Sequence, residues 1–167
     1  MEIKKILILI FCSVFQNTWG QPAYDQKLNS LYRHTVKTLT PAQLTERQAN
    51  DPSLIVLDTR SRQEFAVSHL PGARFLDYDH YQQAELAALP RQATLVVYCS
   101  VGYRSERIGE RLQKMGYKNV FNLYGGIFQW KNEGRAVVNT SNLPTDSVHT
   151  YNKNWGRWLT RGIKVYE

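Results

Sequence analysis

The stretch Thr94-Leu95-Val96-Val97-Tyr98-Cys99-Ser100-Val101-Gly102-Tyr103-Arg104-Ser105 decides how this chain is read. Its first five residues form an uncharged, β-branched and aromatic run, the pattern of a strand covered on both faces. From Ser105 to Met115 the pattern changes to an amphipathic helix, with Ile108, Leu112 and Met115 at i, i+4 and i+7. Gly116 ends it at the position after the C-cap. Between strand and helix lies a short loop containing Gly102, where the backbone can curl. In open α/β sheets ligands bind outside the carboxyl ends of strands, and Cys99 stands at such an end. The helix that follows aims unpaired N–H groups and its positive dipole end at the loop, and Arg104 adds a fixed charge. Both favour thiolate over thiol, which makes Cys99 the candidate nucleophile. The amides of Ser100, Val101, Gly102, Tyr103 and Arg104 are candidates for holding an anion. Ser105 is expected to orient the loop through its hydroxyl.

Working outward, strands and helices alternate. Thr35–Leu39 has strand composition, and Thr40-Pro41 reads as an N-cap followed by proline at the first helical position. Leu54-Ile55-Val56-Leu57 is a second buried run, ending in Asp58-Thr59-Arg60 at another strand terminus. Ser61 and Glu64 have capping-box spacing for a short helix to Leu70, stopped by Pro71-Gly72. Ala73–Leu76 reads as a short strand, His80–Leu89 as a helix and Asn119–Tyr124 as a strand. Gly125-Gly126 opens a last helix through Trp130. This alternation predicts a parallel α/β sheet. Asp58 and Arg60 are possible accessory residues near the same crevice, although a structural ion pair is the simpler reading. His69 and Trp130 read as structural.

Three separate segments carry a family resemblance. Leu57-Asp58-Thr59-Arg60, Glu64-Phe65 and His69-Leu70-Pro71-Gly72-Ala73 form the first. Tyr98-Cys99 through Arg104-Ser105 forms the second, and Leu123-Tyr124-Gly125-Gly126-Ile127-Phe128-Gln129-Trp130 with Gly134 forms the third. In this order they resemble the rhodanese-like sulfurtransferase domain. The resemblance implies a three-layer α/β/α fold with a five-stranded parallel sheet in the order 3-2-4-5-1. It also implies a reaction, in which the Cys99 thiolate takes sulfane sulfur from a small anionic donor such as thiosulfate. A persulfide then passes the sulfur to a thiol or cyanide-like acceptor. Phosphatases sharing this fold use Cys-x5-Arg; here Arg104 follows Cys99 after four residues, and the shorter loop suits sulfur over phosphate. The alternative reading is a non-catalytic protein-binding or redox-sensing module of the same fold.

The ends of the chain add a compartment. Lys4 and Lys5 precede the apolar run Ile6–Phe15, and Thr18 and Gly20 place small residues before a cut at Gln21. The run is half the ~20 residues needed to span a bilayer, so residues 1–20 read as a secretory signal peptide. The mature protein is expected to be periplasmic or secreted, without stable membrane insertion. The chain's two cysteines are Cys12 and Cys99, and loss of the signal removes Cys12. Cys99 then has no partner for an internal disulfide. With no CxxC and no Cys/His cluster, neither a metal nor a cofactor is expected. Residues 21–34 read as an N-terminal arm with a helical turn near Leu28–Tyr32, 35–137 as the domain, and 138–167 as an aromatic and basic extension. Asn/Thr/Ser/Pro-rich residues 139–150 read as a loop, and Tyr151, Trp155 and Trp158 have the spacing of one helical face. Basic residues among aromatics can bind single-stranded nucleic acid, but an exported protein rarely meets it, so no nucleic-acid partner is expected. The extension is expected to pack on the domain, or else to receive a protein partner.

Overall fold

The two uninterrupted apolar runs become the middle of a parallel sheet. The computed structural model describes residues 21–166; the segment read as a signal peptide, with Cys12, lies outside the described residues. The elements in order are α1 (Gln21–Leu31), β1 (Lys37–Leu39), α2 (Pro41–Asn50), β2 (Leu54–Asp58), α3 (Arg62–Val67), β3 (Arg74–Phe75), α4 (Gln83–Ala87) and β4 (Thr94–Tyr98). They continue as α5 (Tyr103–Lys114), β5 (Val120–Leu123), α6 (Gly126–Asn132), β6 (Val137–Val138), β7 (Pro144–Thr145), β8 (Ser147–His149), α7 (Lys153–Gly156) and β9 (Ile163–Val165). The five-stranded sheet runs β1-β5-β4-β2-β3, every pair parallel. Counted from the other edge this is the order 3-2-4-5-1 expected above.

Strand alternation divides the interior into two layers. Val56, Val96 and Tyr98 face a core built with Leu28 of α1, Leu44 of α2 and Phe128 of α6. Ile55, Leu57, Leu95 and Val97 face the opposite core, with Leu86 of α4 and Ile108 and Leu112 of α5. Each such buried aliphatic contributes roughly 1.5–3 kcal/mol over its exposed state. The two cores hold β4 between them, so the strand end that carries Cys99 has little freedom to move.

The predicted caps form as complete capping boxes, Thr40 with Gln43 on α2 and Ser61 with Glu64 on α3. Several boundaries differ. α5 begins two residues early, because Gly102 at φ 99° serves as its left-handed N-cap and leaves Tyr103 and Arg104 in the first turn. The helix expected over 80–89 shrinks to α4, where Leu86 alone of the α4 residues is buried. The N-terminal arm is a full helix that buries Tyr24 and Leu28, with Tyr32 just beyond its end.

The stretch read as a loop, 139–150, holds β7 and β8. β8 pairs in parallel with β9, and Val148 is fully buried. The expected helical face of Tyr151, Trp155 and Trp158 does not form. α7 is a single turn, and Tyr151 sits at φ +65°, outside helical backbone. Trp155 and Trp158 pack against the first core instead.

Candidate active site

Cys99 follows β4 directly, is 1% exposed and lines a cavity of about 480 Å³. The Gly102 N–H donates to Cys99 Sγ at 3.1 Å. The loop therefore bends back on its own nucleophile, and the positive φ of Gly102 lets it do so. A side chain at Gly102 would also collide with the Tyr32 ring.

The loop is held from four sides. From just past the end of α1, Tyr32 Oη donates to the Val101 carbonyl (2.7 Å) and accepts from the Gly125 N–H (3.0 Å). Tyr24 Oη donates to the Gly125 carbonyl. From β5, Asn122 Nδ2 donates to the Gly102 carbonyl at 2.9 Å, while Ser105 Oγ donates to Asn122 Oδ1 at 2.7 Å. Ser105 thus orients the loop through Asn122. At the start of α6, the Ile127 and Phe128 N–H groups donate to the Cys99 and Ser100 carbonyls. Gly126 lies against those same carbonyls, so a Cβ there would overlap them. This explains the Gly125-Gly126 pair, both at positive φ. From α3, Glu64 accepts a hydrogen bond from Ser100 Oγ at 2.9 Å.

Glu64 also changes the electrostatic reading. Arg104 donates to both of its carboxylate oxygens, at 2.8 and 2.7 Å, and to Ser100 Oγ at 3.2 Å. The charge that the sequence assigns to the loop is thus matched by a carboxylate 1% exposed. Burial alone would raise the Glu64 carboxyl, but hydrogen bonds from Arg104, the charges of Arg104 and Arg60 and the Ser61 N–H bring it down to about 2. Burial opposes the Arg104 charge as well, yet Glu64 and the nearby Cys99 hold it above the ordinary arginine range.

Asp58 and Arg60 form a wholly buried ion pair. Arg60 binds both carboxylate oxygens and the Ser68 carbonyl, and Tyr98 Oη donates to Asp58 Oδ2 at 2.6 Å. Neither residue lines the cavity. Arg60 reaches the site through its charge, which acts on both Glu64 and Arg104. His69 stacks on Phe65 with ring centroids 3.9 Å apart, and its backbone bridges Val138. Trp130 lies in the core with Nε1 donating to the Ala136 carbonyl. Among the described residues, no group of three His, Cys, Asp or Glu side chains is arranged to hold a metal.

The cavity brings together Cys99, Ser100, Val101, Tyr103 and Arg104, while Gly102 and Ser105 lie outside its lining. Its outer walls were not anticipated. They come from Leu31 of α1, from Tyr78 and Asp79 after β3, and from Tyr151 and Trp155 of the extension. Sequence reasoning also missed Glu64 in this role, because its capping-box spacing already accounted for it. The supporting tyrosines left a usable signal, since Tyr24, Leu28 and Tyr32 recur at helical spacing.

Residues 40–133 match the model of the rhodanese-like domain. Thiosulfate sulfurtransferase GlpE of Pseudomonas aeruginosa is 33% identical over 97 residues, 58% of this chain and 86% of that protein. The probable adenylyltransferase/sulfurtransferase MoeZ of Mycobacterium tuberculosis is 32% identical over 94 residues, 56% of this chain; the chain spans only 24% of MoeZ. The BH2092 protein of Bacillus halodurans superimposes with a TM-score of 0.57 at 20% identity, covering 72% of this chain and 86% of that one, a likeness of fold alone. The sulfurtransferase relatives support sulfur transfer as the general chemistry of the domain.

Proposed function

The chain belongs to the family of rhodanese-like domains, and on that footing we propose that it is an exported sulfurtransferase whose nucleophile is Cys99. The observation that carries the reading is Cys99 in the cavity lining, its sulfur accepting an N–H from its own loop just before the first turn of α5. The Cys99 thiolate attacks the outer sulfur of thiosulfate, the S–S bond of the donor breaks, and sulfite leaves with the bonding pair. The outer sulfur stays on Cys99 as a persulfide. A thiol or cyanide-like acceptor then takes it, and Sγ returns to thiolate. This divides one transfer into two easier displacements. The first-turn amides of α5, unpaired within the helix, and the Gly102 N–H supply donors to the sulfur anion. Ser100 and Arg104, tied together by Glu64, keep the loop in shape around it.

The donor named in GlpE is thiosulfate, which supports that choice here. Thiocyanate formation from thiosulfate and cyanide is the direct assay; turnover abolished by Cys99→Ser supports the reading, and turnover surviving that change overturns it. For export, the protein recovered from the periplasm or medium should begin at Gln21. An N-terminus at Met1 in the cytoplasmic fraction would contradict it.

A further inference from the structure

The cavity above Cys99 is larger than a small inorganic sulfur compound needs. At about 480 Å³ it falls within the ~300–1,000 Å³ typical of sites for organic small molecules. Thiosulfate or cyanide would occupy a small part of it. Its lining is rich in aromatics, with Tyr78, Tyr103, Tyr151 and Trp155. Charged side chains are few in its lining. Arg104 is the one cation lining it among the described residues, already paired with Glu64, and Asp79 adds a carboxylate.

Tyr151 is the telling residue. Its φ of +65° is a conformation that bulky side chains rarely adopt and that Gly or Asn takes readily. Its side chain gains little burial in return, for the residue is 52% exposed. Strain at an exposed aromatic on the rim of a cavity points to a task in that cavity. The surrounding wall is built to stay in place. The Tyr151 N–H donates to His149 Nδ1, and Asn152 caps α7 through the Trp155 N–H. Lys27 of α1 lies 5.5 Å over the Trp155 ring, and Tyr24 stacks on Trp158 at 5.5 Å. Tyr151 and Trp155 both fall outside the segment that matches the family model, 40–133.

We propose that Tyr151 and Trp155, with Tyr103 in the same cavity lining, form a stacking platform that selects a small organic thiol bearing an aromatic ring as the sulfur acceptor. This rests on the sulfur-transfer reading and adds the acceptor class to it. With the ring held on the platform, the acceptor thiolate attacks the outer sulfur of the Cys99 persulfide. The bond between that sulfur and Sγ breaks, its electron pair returns to Sγ as thiolate, and the acceptor leaves as its own persulfide.

The test uses the full mature chain, loaded with sulfur from thiosulfate or polysulfide, and two alkyl thiols of similar acidity, phenylmethanethiol and 2-mercaptoethanol. The wild type should favour phenylmethanethiol at least tenfold in kcat/KM, with the difference in KM. Tyr151→Asn, which suits the positive φ, should cut that preference at least fivefold with the melting temperature held, and Tyr151→Phe should keep it. A loaded enzyme that shows no preference, or a preference untouched by Tyr151→Asn, overturns the acceptor assignment and leaves sulfur transfer standing. A wild type that never loads sulfur overturns both.

Discussion

Replacing Glu64 by Gln isolates the charge that ties α3 to the Cys99 loop. The amide keeps the side chain's length and one acceptor oxygen for the capping box. It sets an NH2 group against the Arg104 guanidinium and leaves that cation without its carboxylate. Breaking a buried pair in this way costs ~3–5 kcal/mol. The Arg104 side chain is 23% exposed and regains some hydration, so about 2–3 kcal/mol is expected at neutral pH. For a domain of this size that is a fall in Tm of about 5–10 °C.

The pH dependence is sharper still. The Glu64 carboxyl is lowered from 4.5 to about 2 in the folded protein. Its contribution is therefore complete above the unfolded value of 4.5 and disappears as pH falls through about 2. The shift corresponds to about 3 kcal/mol at neutral pH and about 1.4 kcal/mol at pH 3. Urea denaturation of wild type and Glu64→Gln at intervals from pH 7 to pH 3 reads the difference directly. Taking the difference cancels the other carboxylates that are also lowered, Asp51, Glu110 and Asp146. The gap between the two proteins should be flat above pH 5 and shrink by more than half at pH 3. A gap below about 0.5 kcal/mol, or one constant across the range, would refute the claim that this pair anchors the loop.

Three further changes probe the loop's other supports. Tyr32→Phe strips the Val101 carbonyl and the Gly125 N–H of their partner and should cost about 2 kcal/mol in denaturation, where a neutral result would contradict the buttress. Gly126→Ala puts a Cβ into the Cys99 and Ser100 carbonyls at φ +55°, a loss of about 3 kcal/mol or more read from the urea midpoint. Truncation after Ser141 removes the fully buried Val148 and Leu159 and the packed Trp155 and Trp158; more than about 4 kcal/mol of stability should go with them, and an unchanged melting temperature would mean the extension does not brace the domain.

What could be read in advance follows physical range. β4 was legible to the residue because Thr94 followed by four apolar positions leaves few other readings, and the capping boxes were legible because their hydrogen bonds span three residues. The order of the strands came from the resemblance of three segments; no local pattern reveals that β5 lies beside β1. Glu64 joins Ser100 and Arg104 across 36 and 40 residues, a contact that leaves no mark in the spacing of either segment. β6, β7 and β8 have two or three residues each, too few to show a period of two. Tyr151 looked helical because its spacing to Trp155 and Trp158 was right, but spacing carries no information about φ. The same residue, in its actual conformation, turns out to line the cavity.

Intact-protein mass spectrometry after incubation with thiosulfate and removal of excess donor reads whether Cys99 carries sulfur. The wild type should gain the mass of one sulfur atom, lost again on treatment with cyanide, while Cys99→Ala gains nothing. A wild type that stays at its own mass with thiosulfate, mercaptopyruvate and polysulfide alike would contradict sulfur carriage by Cys99.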